Sequence, residues 1–155
     1  MRFEFLFLGK TKEAYLATGI ADYAKRLTRY IATDIKTLKE KKRKKGESEN
    51  VQIEKESGIL LQNAHGSYVV CLDRNGKQMD SLELAAEVQG WEMQGRKKIS
   101  FIIGGPLGLS SAILAKADLV LSLSTMTLTH EMARLLLLEQ LYRACTINAG
   151  ENYHK

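Results

Sequence analysis

Residues 99–144, ISFIIGGPLGLSSAILAKADLVLSLSTMTLTHEMARLLLLEQLYRA, decide the reading of this chain, because they hold two strand-like apolar runs that each end in a loop suited to a ligand. The first run, residues 99–103, breaks into Gly104-Gly105-Pro106-Leu107-Gly108, where glycines let backbone amides approach a ligand closely. The second, residues 119–123, breaks into Ser124-Thr125-Met126-Thr127-Leu128-Thr129 and then into a long helix. In an open α/β sheet, ligands sit beyond the carboxyl ends of the strands, so two such loops on neighbouring strands predict one shared crevice. The helix, residues 130–145, is apolar nearly all round, with Met132, Leu135, Leu136, Leu137, Leu138, Leu141 and Tyr142. It must therefore be covered on more than one face, and the expectation is the sheet on one side and a second copy of the chain, a homodimer, on another.

Upstream, residues 2–8 (RFEFLFL) read as a buried strand ended by Gly9. The period then changes. Leu16, Ile20, Tyr23, Leu27 and Tyr30 form the stripe of an amphipathic helix, with Lys25, Arg26 and Arg29 left to solvent. A short strand is expected near residues 34–38, then a basic loop to Gly46, then an acid-led helix from residue 47 to about 64. Residues 67–72 (SYVVCL) predict a buried strand that ends near Leu72, before the turn signal Asp73-Arg74-Asn75-Gly76. Asp80 and Glu83 stand at capping-box spacing ahead of Leu84, Val88 and Trp91, and Gly95 supplies the stop. Ser110 or Ser111 caps a short helix to about Lys116, and residues 118–122 make the last strand. This alternation predicts an α/β fold with a mostly parallel sheet covered on both faces, in one domain spanning residues 1–155.

A chain of 155 residues with 45% apolar content can bury a core without disulfides or metal. Cys71 and Cys145 have no partner at metal-ligand spacing and read as small buried apolar residues. The net charge of +5 is equalled by residues 39–45 (KEKKRKK) alone, six cations against one acid, so the basic excess is one local patch. Such a run is either a solvated loop or an electrostatic handle for nucleic acid, where each phosphate neutralised releases counterions. No apolar run approaches the ~20 residues that span a bilayer, and Glu4 interrupts the only segment a signal peptide could use, so a cytoplasmic location and no membrane partner are expected.

Each loop also has a plainer reading. G-G-x-x-G lacks the Lys-Ser/Thr pair of a Walker A loop, and a glycine cluster at a strand end is often only a tight turn. Ser124, Thr125 and Thr127 offer hydroxyls to a ligand or caps to a helix, and His130 has the same alternative at a helix start. No Ser-His-Asp order, paired carboxylates or metal-ligand spacing is evident, so no metal is expected. The terminal Tyr153-His154-Lys155 is either a frayed end or an aromatic, an imidazole and an ammonium suited to a base and its phosphate.

Four motifs together resemble one family over the whole chain: I-G-G-x-x-G-L at residues 103–109, L-S-x-S-x-M-T-x-x-H at 121–130, E-Q-L-Y-R-A at 139–144, and the terminal Y-H-K. They are similar to the small SPOUT-class enzymes known as ribosomal large-subunit RNA methyltransferase H. The resemblance implies methylation of N3 of a pseudouridine in 23S ribosomal RNA within the ribosome, with S-adenosyl-L-methionine as donor and no DNA partner. It also implies a C-terminal trefoil knot, against the general avoidance of knots. The residues it implies around the cofactor are Leu72, Gly104, Leu123, Ser124, Thr125, Met126, Thr127 and Leu128. For catalysis it points to His154 as base for the N3 proton, Arg143 or Lys155 for the developing anion or a phosphate, and Tyr153 as a stacking face. Two positions depart from the family pattern: Thr129 stands where Pro is usual, and Lys155 where many relatives have Arg. A noncatalytic RNA-binding factor and a nucleotide-binding enzyme using the same crevice are the competing classes.

Overall fold

The computed structural model describes residues 1–154, and Lys155 lies outside the described residues. In chain order the elements are β1 (Arg2–Leu8), α1 (Ala14–Leu27), β2 (Ala32–Leu38), α2 (Glu49–Asn63), β3 (Tyr68–Gln78), α3 (Ser81–Met93), β4 (Lys98–Ile103), α4 (Ser111–Leu114), β5 (Leu119–Ser122) and α5 (His130–Asn148). The strands form one five-stranded sheet in the order β2-β1-β4-β3-β5, and every pairing is parallel. Alternation foretold the parallel sheet; the strand order, with β4 inserted between β1 and β3, it did not.

Burial on both faces explains the apolar runs of β1 and β4. On one face Phe3, Phe5, Phe7, Phe101 and Trp91 interlock edge-to-face and stacked, beneath α1, α3 and α5. On the other, Leu6, Val69, Cys71 and Ile102 meet Leu60 of α2 and Ile113 of α4. Fully burying each such side chain stabilises the fold by roughly 1.5–3 kcal/mol. Both cysteines are buried thiols, pushed up to about 12 at Cys71 and about 11 at Cys145 by burial.

The capping box at Asp80 and Glu83 forms as its spacing predicts. β3 does not stop near Leu72. Leu72 and Lys77 both register with Leu121, so the turn signal Asp73-Arg74-Asn75-Gly76 leaves the ladder as an excursion and the strand resumes beyond it. Gly76 passes so close to β5 that a Cβ there would lie 2.6 Å from the Val120 carbonyl oxygen, and the Ser122 hydroxyl bonds the Arg74 carbonyl at 3.0 Å. The basic run is less idle than its composition indicates: Arg43 donates from Nε to the Glu47 carbonyl and pairs with Glu49 at the start of α2. Among the described residues, no helix is long and apolar enough to cross a membrane.

Coverage of α5 is mostly internal. It packs between α1 and α3 over the sheet, which buries Leu137, Leu138 and Leu141 completely. Its outward stripe, Met132, Leu136, Glu139 and Arg143, is only half-buried.

Candidate active site

Because the strands are parallel, the excursion that interrupts β3 after Leu72 and the carboxyl ends of β4 and β5 open on one edge of the sheet, and there they line a cleft of about 720 Å³. Leu72 comes from β3, Ile103 and Gly104 from the end of β4, and Leu121 and Leu123 from β5 and its exit. Ser124, Met126, Thr127 and Leu128 complete the far wall, so every expected cofactor residue lines this cleft except Thr125. Its volume falls in the range of small-molecule sites.

The glycine loop is held by its own backbone. Gly108 N–H donates to the Gly105 carbonyl at 3.0 Å, and a Cβ on Gly104 would lie 2.5 Å from the Gly108 carbonyl oxygen. Gly104 is therefore required first for the loop to close, and only through that closure for the shape offered to a ligand. Ser110 anchors the exit, with its N–H on the Ser57 hydroxyl at 2.9 Å and its own hydroxyl capping α4. In the second loop the Ser124 hydroxyl accepts from Met126 N–H at 3.0 Å, a turn bond rather than a free ligand contact. Thr129 caps α5 by accepting from Met132 N–H, which gives this chain its own device for starting the helix.

Two residues that sequence reasoning passed over fix the first turn of α5. Arg134, wholly buried, donates to the Leu8 carbonyl at 2.6 Å, the Gly9 carbonyl at 3.1 Å and the Thr11 hydroxyl at 3.1 Å, and lies over the Phe7 ring. Glu131 accepts from the backbone N–H groups of Lys12 and Glu13, at the start of α1. A charged pair three residues apart in the helix turn ahead of the run Leu135–Leu138 was the available signal. His130 lies on the rim of the cleft, its pKa lowered by burial and by the neighbouring Arg134 charge.

Of the residues expected to act in catalysis, Tyr153 and Arg143 meet each other away from the cleft. The Tyr153 ring meets Tyr142 edge-on at 4.8 Å, the Arg143 guanidinium lies over it at 4.7 Å, and its hydroxyl reaches Tyr23 and Glu139 at 3.1 Å each. Burial and these contacts raise its pKa above the ordinary phenol range. Tyr153 is thus docked rather than frayed, and its ring is occupied, whereas His154 is exposed. Arg143 is paired with Glu139, which raises its pKa. The cleft sits at the first turn of α5, and Tyr153 turns back along the helix only as far as Glu139, nine residues beyond His130, so at 1.5 Å of rise per residue about 14 Å still separates the two within one chain. Tyr153 and His154 do not fold over the cleft of their own chain.

The family model described as "Predicted SPOUT methyltransferase" matches residues 1–154. The chain belongs to the SPOUT methyltransferase family. Relatives named "Ribosomal RNA large subunit methyltransferase H" are similar over their whole length and that of this chain: one from Desulfotalea psychrophila is 48% identical over 156 residues, and one from Halothermothrix orenii 45% over 160. The fold is also that of a tRNA (m1G37) methyltransferase from Aquifex aeolicus, with a TM-score of 0.54 at 14% identity, covering 92% of this chain and 70% of that one.

Proposed function

We propose that this chain is a single cytoplasmic domain that methylates N3 of a pseudouridine in 23S ribosomal RNA within the ribosome, with S-adenosyl-L-methionine as donor. The observation that carries the reading is the end-to-end match to relatives named as ribosomal RNA large subunit methyltransferase H. The cleft fits such a donor: Leu72 from β3, Ile103 from β4 and Leu121 and Leu123 from β5 and its exit offer an apolar wall, and two tight loops present backbone groups beside it. Leu72, Gly104 and residues 123–128 would hold it, and it would supply an electrophilic methyl group. The chain's own part is to exclude water, orient the base and move a proton. His154 takes the N3 proton of the imide, Arg143 or Lys155 stabilises the anion that results, and the Tyr153 hydroxyl and ring hold the tail.

The separation of cleft and tail supports a homodimer in which the tail of one copy completes the cleft of the other. A two-fold axis across the outward stripe of α5 runs the two helices antiparallel and brings one helix's start to the other's end. The wrapping of residues 73–76 onto β5 supports the C-terminal trefoil knot that the family resemblance implies.

Transfer of labelled methyl groups from S-adenosyl-L-methionine to ribosomal particles from a strain lacking the enzyme tests the reading. Stoichiometric incorporation at one pseudouridine is expected. Particles that bind the protein and take up no label would make it a noncatalytic RNA-binding factor instead.

A further inference from the structure

Beside the cleft lies a second one of about 750 Å³, at the carboxyl ends of β1 and β2, and the two share Pro106, Leu107 and His130 as a common wall. Cations from two separate segments line it: Lys10 and Lys12 from the connection after β1, and Lys39, Lys41, Lys42 and Arg43 from the chain after β2. Among the described residues, no carboxylate stands within ion-pair distance of any of the five lysines, while Arg43 is engaged by Glu49. Of the acids there, Glu131 is committed to the backbone N–H groups at the start of α1, and burial pushes the Glu56 carboxyl up toward its neutral form. Glu40 is the third.

Two buried polar side chains from α2, Gln52 and Glu56, also line this cleft. The Gln52 amide donates to the Lys41 carbonyl and to Glu56, and its Oε1 is buried without a partner. That acceptor is one the chain itself leaves unengaged at the wall of the cleft. A nucleobase edge supplies an N–H, and its phosphates answer the lysines; the shared wall sets this cleft directly beside the one assigned to the methyl donor, where the target base must lie.

We propose that the second cleft seats a nucleotide flanking the methylated one, its phosphates on Lys10, Lys12 and the lysines after β2 and its base edge against Gln52 and Glu56. The assignment rests on the reading that this chain methylates RNA, and it adds the surface on which the strand beyond the target base lies. Lys10 and Lys12 make it more than a property of the basic run, because they reach the same cleft from another strand.

The test is a Lys10→Ser, Lys12→Ser double variant of the full chain, in which the Lys12 backbone bond to Glu131 is kept. Affinity for a short single-stranded RNA of mixed sequence is measured by anisotropy across a salt series with saturating S-adenosyl-L-methionine, and cofactor affinity by calorimetry. Binding should weaken at least ~10-fold, and the slope of log affinity against log salt should fall by about 0.7 for each phosphate that is no longer neutralised, with cofactor affinity unchanged. Gln52→Leu should weaken RNA binding several-fold and leave the slope alone. Unchanged affinity and slope in the lysine variant would overturn the proposal, as would competition by polyglutamate as strong as by RNA. Methyl transfer by that variant at the parent's KM would overturn the cleft and leave the methylation reading intact. The expected weakening of RNA binding without methyl transfer by the parent would do the reverse.

Discussion

If the tail of one copy serves the cleft of another, two inactive chains must be able to restore each other. His154→Ala removes an exposed imidazole that makes no hydrogen bond within the described residues, so the dimer and its melting temperature should be unchanged while transfer falls at least the ~10²-fold typical of a lost acid–base group. Deleting the whole tail is a poorer probe, because Tyr153 contributes ring and hydroxyl contacts to Tyr142, Tyr23 and Glu139. Gly104→Val supplies the complementary lesion at the cleft. Co-expressed under two different tags and purified through both, the pair gives a dimer with one site built from an intact cleft and an intact tail, and one site carrying both lesions. By two-fold symmetry, single-turnover transfer to ribosomal particles should therefore recover to about half of the parent dimer's amplitude. A tail that served its own cleft would leave every site with one lesion. Held on Tyr142, Tyr23 and Glu139, Tyr153 stays about 14 Å along α5 from the helix start, so that arrangement would require it to leave those partners. Activity in the mixed dimer no higher than the sum of the two single-lesion dimers would refute a tail shared between copies.

Arg134→Met should cost about 3 kcal/mol or more in urea unfolding, since it strips the donors from two backbone carbonyls at the end of β1 and loosens α5 against α1; a loss under about 1 kcal/mol would show that water replaces the guanidinium. Glu56 has a pKa raised in the folded protein above the 4.5 of the free side chain, so the native state holds the proton longer and this group's contribution to stability is lost as pH rises. Glu56→Gln should consequently raise the melting temperature at about pH 8 and leave it unchanged well below pH 4.5, and an equal shift at both would exclude the carboxyl as its source. Gly104→Val should abolish cofactor binding in calorimetry together with a measurable drop in melting temperature, because the first atoms the new side chain meets are those of the Gly108 carbonyl; lost binding at an unchanged melting temperature would mean that the side chain meets the ligand and spares the loop.

How much was legible in the sequence follows from the range of the interactions involved. Local chemistry was readable: an uninterrupted apolar run such as residues 2–8 has no polar face to leave in water, and Asp80 with Glu83 can cap only the helix that begins beside them. The family resemblance was readable too, and it named Leu72, Gly104 and Leu123 together, residues that line one cleft. What the sequence could not supply was which segments distant in the chain lie side by side. Arg134 drew no reading until its guanidinium was seen on the carbonyls of Leu8 and Gly9, more than a hundred residues away. Lys10 and Lys12 were unremarked until two parallel strands set them across a cleft from Lys39 and Lys41. The tail resembled a catalytic end, yet only the tertiary contacts of Tyr153 with Tyr142, Tyr23 and Glu139 showed that it docks on α1 and α5, away from the cleft of its own chain. Pairing of remote strands is chosen by the sum of many small packing terms across the whole sheet, and no single stretch carries that sum.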